Sequence, residues 1–134
     1  MKNPWKKLIS NVKISGRVGL AYAALHGNEE RNSLHKISIT WQDLQKKFAE
    51  QKNKCFWLGV PIDPNWIFKS WFPMAPSVDR IDNLQEYTYE NIVICTRFAN
   101  LARGSCEASK FAKIIVALKN KGINPDMDEF NKLF

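Results

Sequence analysis

The chain has 134 residues, 45% of them apolar and 25% charged, which is a globular composition and one domain's worth of length. No run approaches about 18 uncharged apolar residues, so a membrane span is excluded, and MKNPWKKLISNVKISG lacks the apolar stretch of a secretory leader, which argues against export. Twenty Lys and Arg against thirteen Asp and Glu leave a net charge of +7, which favours an anionic partner.

That charge is unevenly spread. Residues 1–54 hold eleven basic and four acidic side chains, residues 55–95 two basic and five acidic, and residues 96–134 seven basic and four acidic. An acidic centre between basic flanks suits a cation site that faces a phosphate backbone, and ordinary variation over short windows gives the same profile. Cys55, Cys95 and Cys106 form no C-x-x-C pair and stand far from His26 and His35. Structural zinc needs closer pairs, so the cysteines are expected to be reduced and buried, as in a cytoplasmic protein.

In chain order, residues 1–39 read as a basic N-terminal arm or extension. Gly16 and Gly19 argue against one continuous helix. Lys6, Lys7 and Arg17 could follow a nucleic-acid backbone, or the segment could pack Trp5 and Leu8 on the core. Thr40 with Asp43 makes a capping box, and Trp41, Leu44, Gln45 and Phe48 recur three or four apart, which predicts a helix over 40–52. Residues 55–62 read as two short strands about a Gly turn. Trp66, Ile67, Phe68, Trp71 and Phe72 form the densest aromatic cluster, which reads mostly as core, the alternative being a ring that reaches a base or a partner. A strand near 77–80, a loop over 82–90, a strand over 91–95 and a helix from Thr96 to about Ala102 follow, with Gly104 ending it. A further helix is expected over 106–119 and a last short turn or helix over 126–134. The fold class is therefore α+β.

The segment PSVDRIDNLQEYTYENIVICTRFANLARG, residues 76–104, resembles the ββα-metal finger of HNH (His-Me finger) nucleases of phage and mobile-element type. The signature is D-R-I-D-N, an aromatic four residues on, E-N-I-V, then a helix with N-x-x-R. Residues 40–62 resemble the helix and hairpin that precede the finger, so the likeness covers 40–104 as a core, with 105–134 as a C-terminal helical segment. The resemblance implies a small ββα-metal finger embedded among helices. It also implies a metal-dependent DNA endonuclease in the cytoplasm, that of a bacterial host if phage-encoded. Asp79 and Asn100 would be ligands to Mg²⁺ or Mn²⁺, and Asn91 would tie the loop to the strand. Arg80 stands where the family has its general-base histidine, and the paired-cysteine zinc knuckles are absent, with Cys55 and Cys95 near two of their positions.

A guanidinium stays protonated and cannot serve as that base, although it can clamp a phosphate. His35, then Glu86 or His26, are the candidates to replace it. Asp82 could join a metal shell, pair with Arg80 or cap an Asx turn. Arg97, Arg103, Lys110 and Lys113 are expected on DNA phosphates, where they would position the backbone and read no sequence. The alternative is an HNH-fold DNA-binding protein with impaired catalysis, and behind it a basic interaction protein. Monomer and homodimer are equally compatible with the residues.

Overall fold

The computed structural model describes residues 2–25 and 36–122, with Asp128 and Lys132, and of residues 16–24 the backbone alone. Helix α1 spans Pro4–Leu25 and α2 spans Trp41–Glu50. Strands β1 (Pro76–Arg80) and β2 (Ile92–Thr96) pair antiparallel, and α3 (Arg97–Arg103) and α4 (Ala108–Asn120) follow. The mixed α+β class is as expected. Among the described residues no helix is long and apolar enough to cross a membrane.

The N-terminal region differs from expectation: α1 runs unbroken through Gly16 and Gly19. Its start is fixed by Asn3, whose side-chain oxygen accepts from the N–H groups of Trp5 and Lys6 at 2.9 and 3.2 Å, with Pro4 at the first helical position. Trp5, Leu8, Ile9 and Val12 recur at helical spacing and are all buried. Trp5 meets Phe48 of α2 at 5.2 Å between ring centres. Each Gly costs about 1 kcal/mol relative to Ala in a helix interior. Burying four large side chains, at roughly 1.5–3 kcal/mol each, outweighs that cost. Of the two readings of this segment, the one that packs Trp5 and Leu8 on the core holds: residues 5–12 dock through one face of α1.

Helix α2 begins as its sequence specifies. Thr40 Oγ1 accepts from the Asp43 N–H at 3.2 Å and Asp43 accepts from the Thr40 N–H at 2.8 Å. Leu44 and Phe48 face the core. Residues 55–62 form one tight turn rather than two strands, closed by a single bridge between Lys54 and Pro61. Gly59 takes φ 72° there, a left-handed conformation that favours glycine. The turn docks on the free edge of β2, where the Phe56 N–H reaches the Ile94 carbonyl at 3.0 Å. The Gln51 amide covers the same edge. It accepts from the Ile94 N–H at 2.8 Å and donates to the Ile94 carbonyl at 2.7 Å.

In the two-stranded sheet, Ser77 pairs with Cys95 and Asp79 with Val93, while Val78 pairs with Ile94 and Arg80 with Ile92. Side chains alternate between faces along a strand, so Ser77, Asp79, Val93 and Cys95 share one face. Helix α3 starts at the N-cap Thr96, whose hydroxyl accepts from the Ala99 N–H at 3.1 Å, and ends at Gly104 with φ 52°. The last turn expected over 126–134 lies outside the described residues apart from Asp128 and Lys132.

Candidate active site

Asp79 leaves β1 on the face that α3 covers, and it is only 6% exposed. Its Oδ2 accepts from the Trp57 indole N–H at 2.9 Å and from Arg103 Nη1 at 2.7 Å. The Trp57 donor arrives on the 55–62 turn and the Arg103 donor on the last turn of α3. Arg103 also gives hydrogen bonds to the carbonyls of Arg80, of Ile81 at 2.6 Å and of Cys106 at 2.9 Å. Its guanidinium carbon lies 5.0 Å from the Trp57 ring centre. A buried ion pair survives desolvation only when its remaining donors and acceptors are met, and here backbone carbonyls meet them.

Arg103 was expected on DNA phosphates and is instead buried, at 2% exposure. Asn100, expected opposite Asp79, lies one helical turn earlier. Its Nδ2 donates to Ser77 Oγ at 2.8 Å and to the Val78 carbonyl at 3.2 Å. The register of α3 on β1 therefore sets Arg103, not Asn100, against the Asp79 carboxylate. In this arrangement both donors, Trp57 and Arg103, meet Oδ2 of Asp79, and the Arg103 guanidinium supplies a countercharge beside it.

Asn91 holds the loop between the strands. Its Oδ1 accepts from the Asp82 N–H at 2.9 Å, and its Nδ2 donates to the carbonyls of Asp82 and Glu86, each at 3.0 Å. Asp82 Oδ1 accepts from the Leu84 N–H at 2.9 Å, an Asx turn. Arg80 donates to the Gln85 carbonyl at 3.1 Å, and its guanidinium carbon sits 4.8 Å from the Tyr87 ring centre. His35 and His26 lie outside the described residues. Glu86 is half-buried in the loop and joins the network through its backbone.

Cys55 and Cys95 are buried free thiols and Cys106 is half-buried. Cys55 Sγ accepts from the N–H groups of Leu58 at 3.5 Å and Thr96 at 3.4 Å. Burial pushes the Cys95 thiol well above its ordinary value, and neighbouring Cys55 and Asp79 add to the shift against a smaller opposing effect of Arg103. It stays a neutral thiol.

Of the remaining basic candidates, Lys6 and Lys7 on α1 and Lys110 and Lys113 on α4 are exposed. The Arg17 side chain lies outside the described residues. Arg97 is half-buried at the start of α3, with its guanidinium carbon 5.4 Å from the Trp71 ring centre. It also lines a cavity of about 320 Å³ between α1, β1 and α3, shared with Asn11, Ser15, Ser77, Tyr87 and Asn100.

Three participants escape sequence reasoning. Trp57 falls in a segment that reads as a short strand, and only the turn that carries it makes its N–H a partner of Asp79. Gln51 follows a helix with nothing to mark it. Trp71 lies in an aromatic run that gives no sign of its backbone conformation. Comparison of the chain with family models, curated proteins and solved structures gives no match.

Proposed function

We propose that this chain is a DNA-binding protein on an HNH-like ββα frame whose catalytic centre is closed. The observation that carries the reading is the Asp79–Arg103 pair, with Trp57 as the second donor to the carboxylate. A carboxylate committed to a buried guanidinium is withdrawn from metal binding, and Arg80 in the base position supplies no proton acceptor. The DNA-binding half rests on the net charge of +7 and on the exposed Lys2, Lys6, Lys7, Lys13, Lys110 and Lys113. Each lysine that neutralises a phosphate releases counterions, so affinity falls steeply as salt rises.

The competing reading, an active metal-dependent endonuclease, is favoured by one observation. The three Asn91 hydrogen bonds hold the loop as the family resemblance requires. Two measurements separate the readings. Fluorescence anisotropy on duplex DNA across a salt series is expected to give a steep inverse dependence, which Lys6→Glu and Lys7→Glu together weaken. Supercoiled plasmid with Mg²⁺ or Mn²⁺ is expected to show equal background nicking for wild type and Asp79→Ala. Cleavage that requires Asp79 would overturn the closed-centre reading, and binding indifferent to salt would overturn the DNA-binding one.

A further inference from the structure

Trp71 has a backbone φ of 55°. That left-handed conformation is sterically costly for a bulky side chain. Lys52 and Asn53 share the positive sign, but they reverse the chain just after α2, where helix exits often use it. Trp71 lies in a turn three residues after the short 3₁₀ helix Pro64–Phe68, and unlike those two it carries a large ring. Packing does not compensate for the strain, because the residue is 84% exposed. Strain kept without burial is a mark of a functional position.

The ring is not bare on both sides. Arg97 lies over it, and Arg97 is held in place at the head of α3, its N–H bonded to the Ala75 carbonyl at 2.8 Å. The pattern recurs nearby. The Lys2 ammonium lies 5.5 Å from the ring centre of the exposed Phe68, and that of the exposed Lys69 lies 4.9 Å from the ring centre of Phe72, which is itself buried. Rings interleaved with cations suit a nucleic-acid strand, which presents a base face and a phosphate in alternation.

We infer that Trp71 and Arg97 form a stacking platform for one unpaired base of single-stranded DNA, with Arg97 and Lys69 beside the flanking phosphates. This rests on the DNA-binding reading above and narrows it. A wedge driven into a duplex needs both faces of the ring, one for each base it separates. With one face under a guanidinium, Trp71 offers a single stack, and a base already out of a helix can take it at no unpairing cost.

The test is anisotropy at fixed low salt with an oligothymidylate and with a duplex of equal length, using wild type, Trp71→Ala, Trp71→Phe and Trp71→Gly. Wild type is expected to prefer the single strand and to lose tryptophan fluorescence on binding it. Of the five tryptophans, Trp5 and Trp57 are buried and Trp41 and Trp66 half-buried, which makes Trp71 the ring best placed to report. Trp71→Ala should lose about tenfold in single-strand affinity along with most of the quenching, with little change on duplex. Trp71→Phe should recover most of the affinity. Trp71→Gly, free of the strain, should melt no lower than wild type while binding as poorly as Trp71→Ala. Unchanged single-strand affinity in Trp71→Ala, a preference for duplex, or a marked fall in the stability of Trp71→Gly would each overturn this inference and leave the DNA-binding reading intact. Failure of wild type to bind either DNA would remove both.

Discussion

Replacing Arg103 by Met keeps the length and apolar bulk of the side chain and deletes its charge and donors. Asp79 would then be a buried carboxylate with only the Trp57 N–H left to it. The carbonyls of Arg80, Ile81 and Cys106 would each lose the guanidinium donor. Breaking one side of a buried pair costs about 3–5 kcal/mol, and the orphaned carbonyls place Arg103→Met in the upper half of that range. Against a typical total stability of about 5–15 kcal/mol, such a variant is marginal. Asp79→Asn keeps an acceptor for the indole and removes only the countercharge, so about 2–3 kcal/mol is expected. Because the two residues share one interaction, the double variant should cost less than the sum by about 2 kcal/mol. Urea unfolding followed by tryptophan fluorescence measures all four proteins, with altered midpoints and unchanged slopes. Adding Mn²⁺ or a chelator should leave the wild-type midpoint where it is. Single variants below about 1 kcal/mol that add without coupling would refute the reasoning. So would a Mn²⁺-dependent stabilisation of wild type that Asp79→Asn abolishes.

Three further outcomes are expected. Gln51→Ala uncovers the Ile94 N–H and leaves its carbonyl with the Phe56 donor alone, and should cost about 1–2 kcal/mol; hydrogen exchange at the Ile94 amide checks it, and unaltered protection would show that the edge is covered by other means. Asn91→Ala releases the 82–90 loop from three hydrogen bonds. It should cost about 2 kcal/mol and open that loop to limited proteolysis, with Asn91→Asp intermediate because it keeps only the accepted bond. For Cys95 the folded state retains a proton that the unfolded chain releases above about pH 8.5. Its contribution is therefore complete below that pH and is lost as pH rises toward the raised folded value. The slope is at most about 1.4 kcal/mol per pH unit. Cys95→Ala should flatten the alkaline limb of the stability curve, and in native protein a thiol reagent should modify Cys106 long before Cys55 or Cys95.

Local chemistry was legible where neighbours in sequence are also partners in space. The Thr40–Asp43 box, the β-branched run Ile92–Ile94 and the stop at Gly104 specify their elements within a few residues. The sheet and the α3 boundaries follow from them. Helix α1 is obscured in the sequence because its two glycines point away from the helix that the Asn3–Pro4 cap and the Trp5, Leu8, Ile9, Val12 stripe support. Its stability comes from burial against α2 and β1, which no local window contains. The misplacement of Arg103 has the same origin. Its spacing on α3 from Asn100 is local, but the Trp57 N–H that completes the Asp79 site is 22 residues from the carboxylate. Whether a guanidinium at the end of a short helix turns outward or inward depends on that distant turn.

Arg80, which departs from the nuclease pattern, and Arg103, which is the arginine of its N-x-x-R, act on the same piece of backbone. Arg80 grips the loop at the Gln85 carbonyl and Arg103 holds its first residue at the Ile81 carbonyl. Asn91 fixes Asp82 and Glu86 between them. The loop is thus tied at four of its carbonyls by three side chains, two of them permanent cations. Displacing Arg103 from Asp79 would orphan three carbonyls and loosen the loop's start together with the end of α3. On the closed-centre reading proposed above, the bonds that give Asp79 its countercharge also hold the loop to α3, so a change that reopens the site is expected to loosen the loop with it.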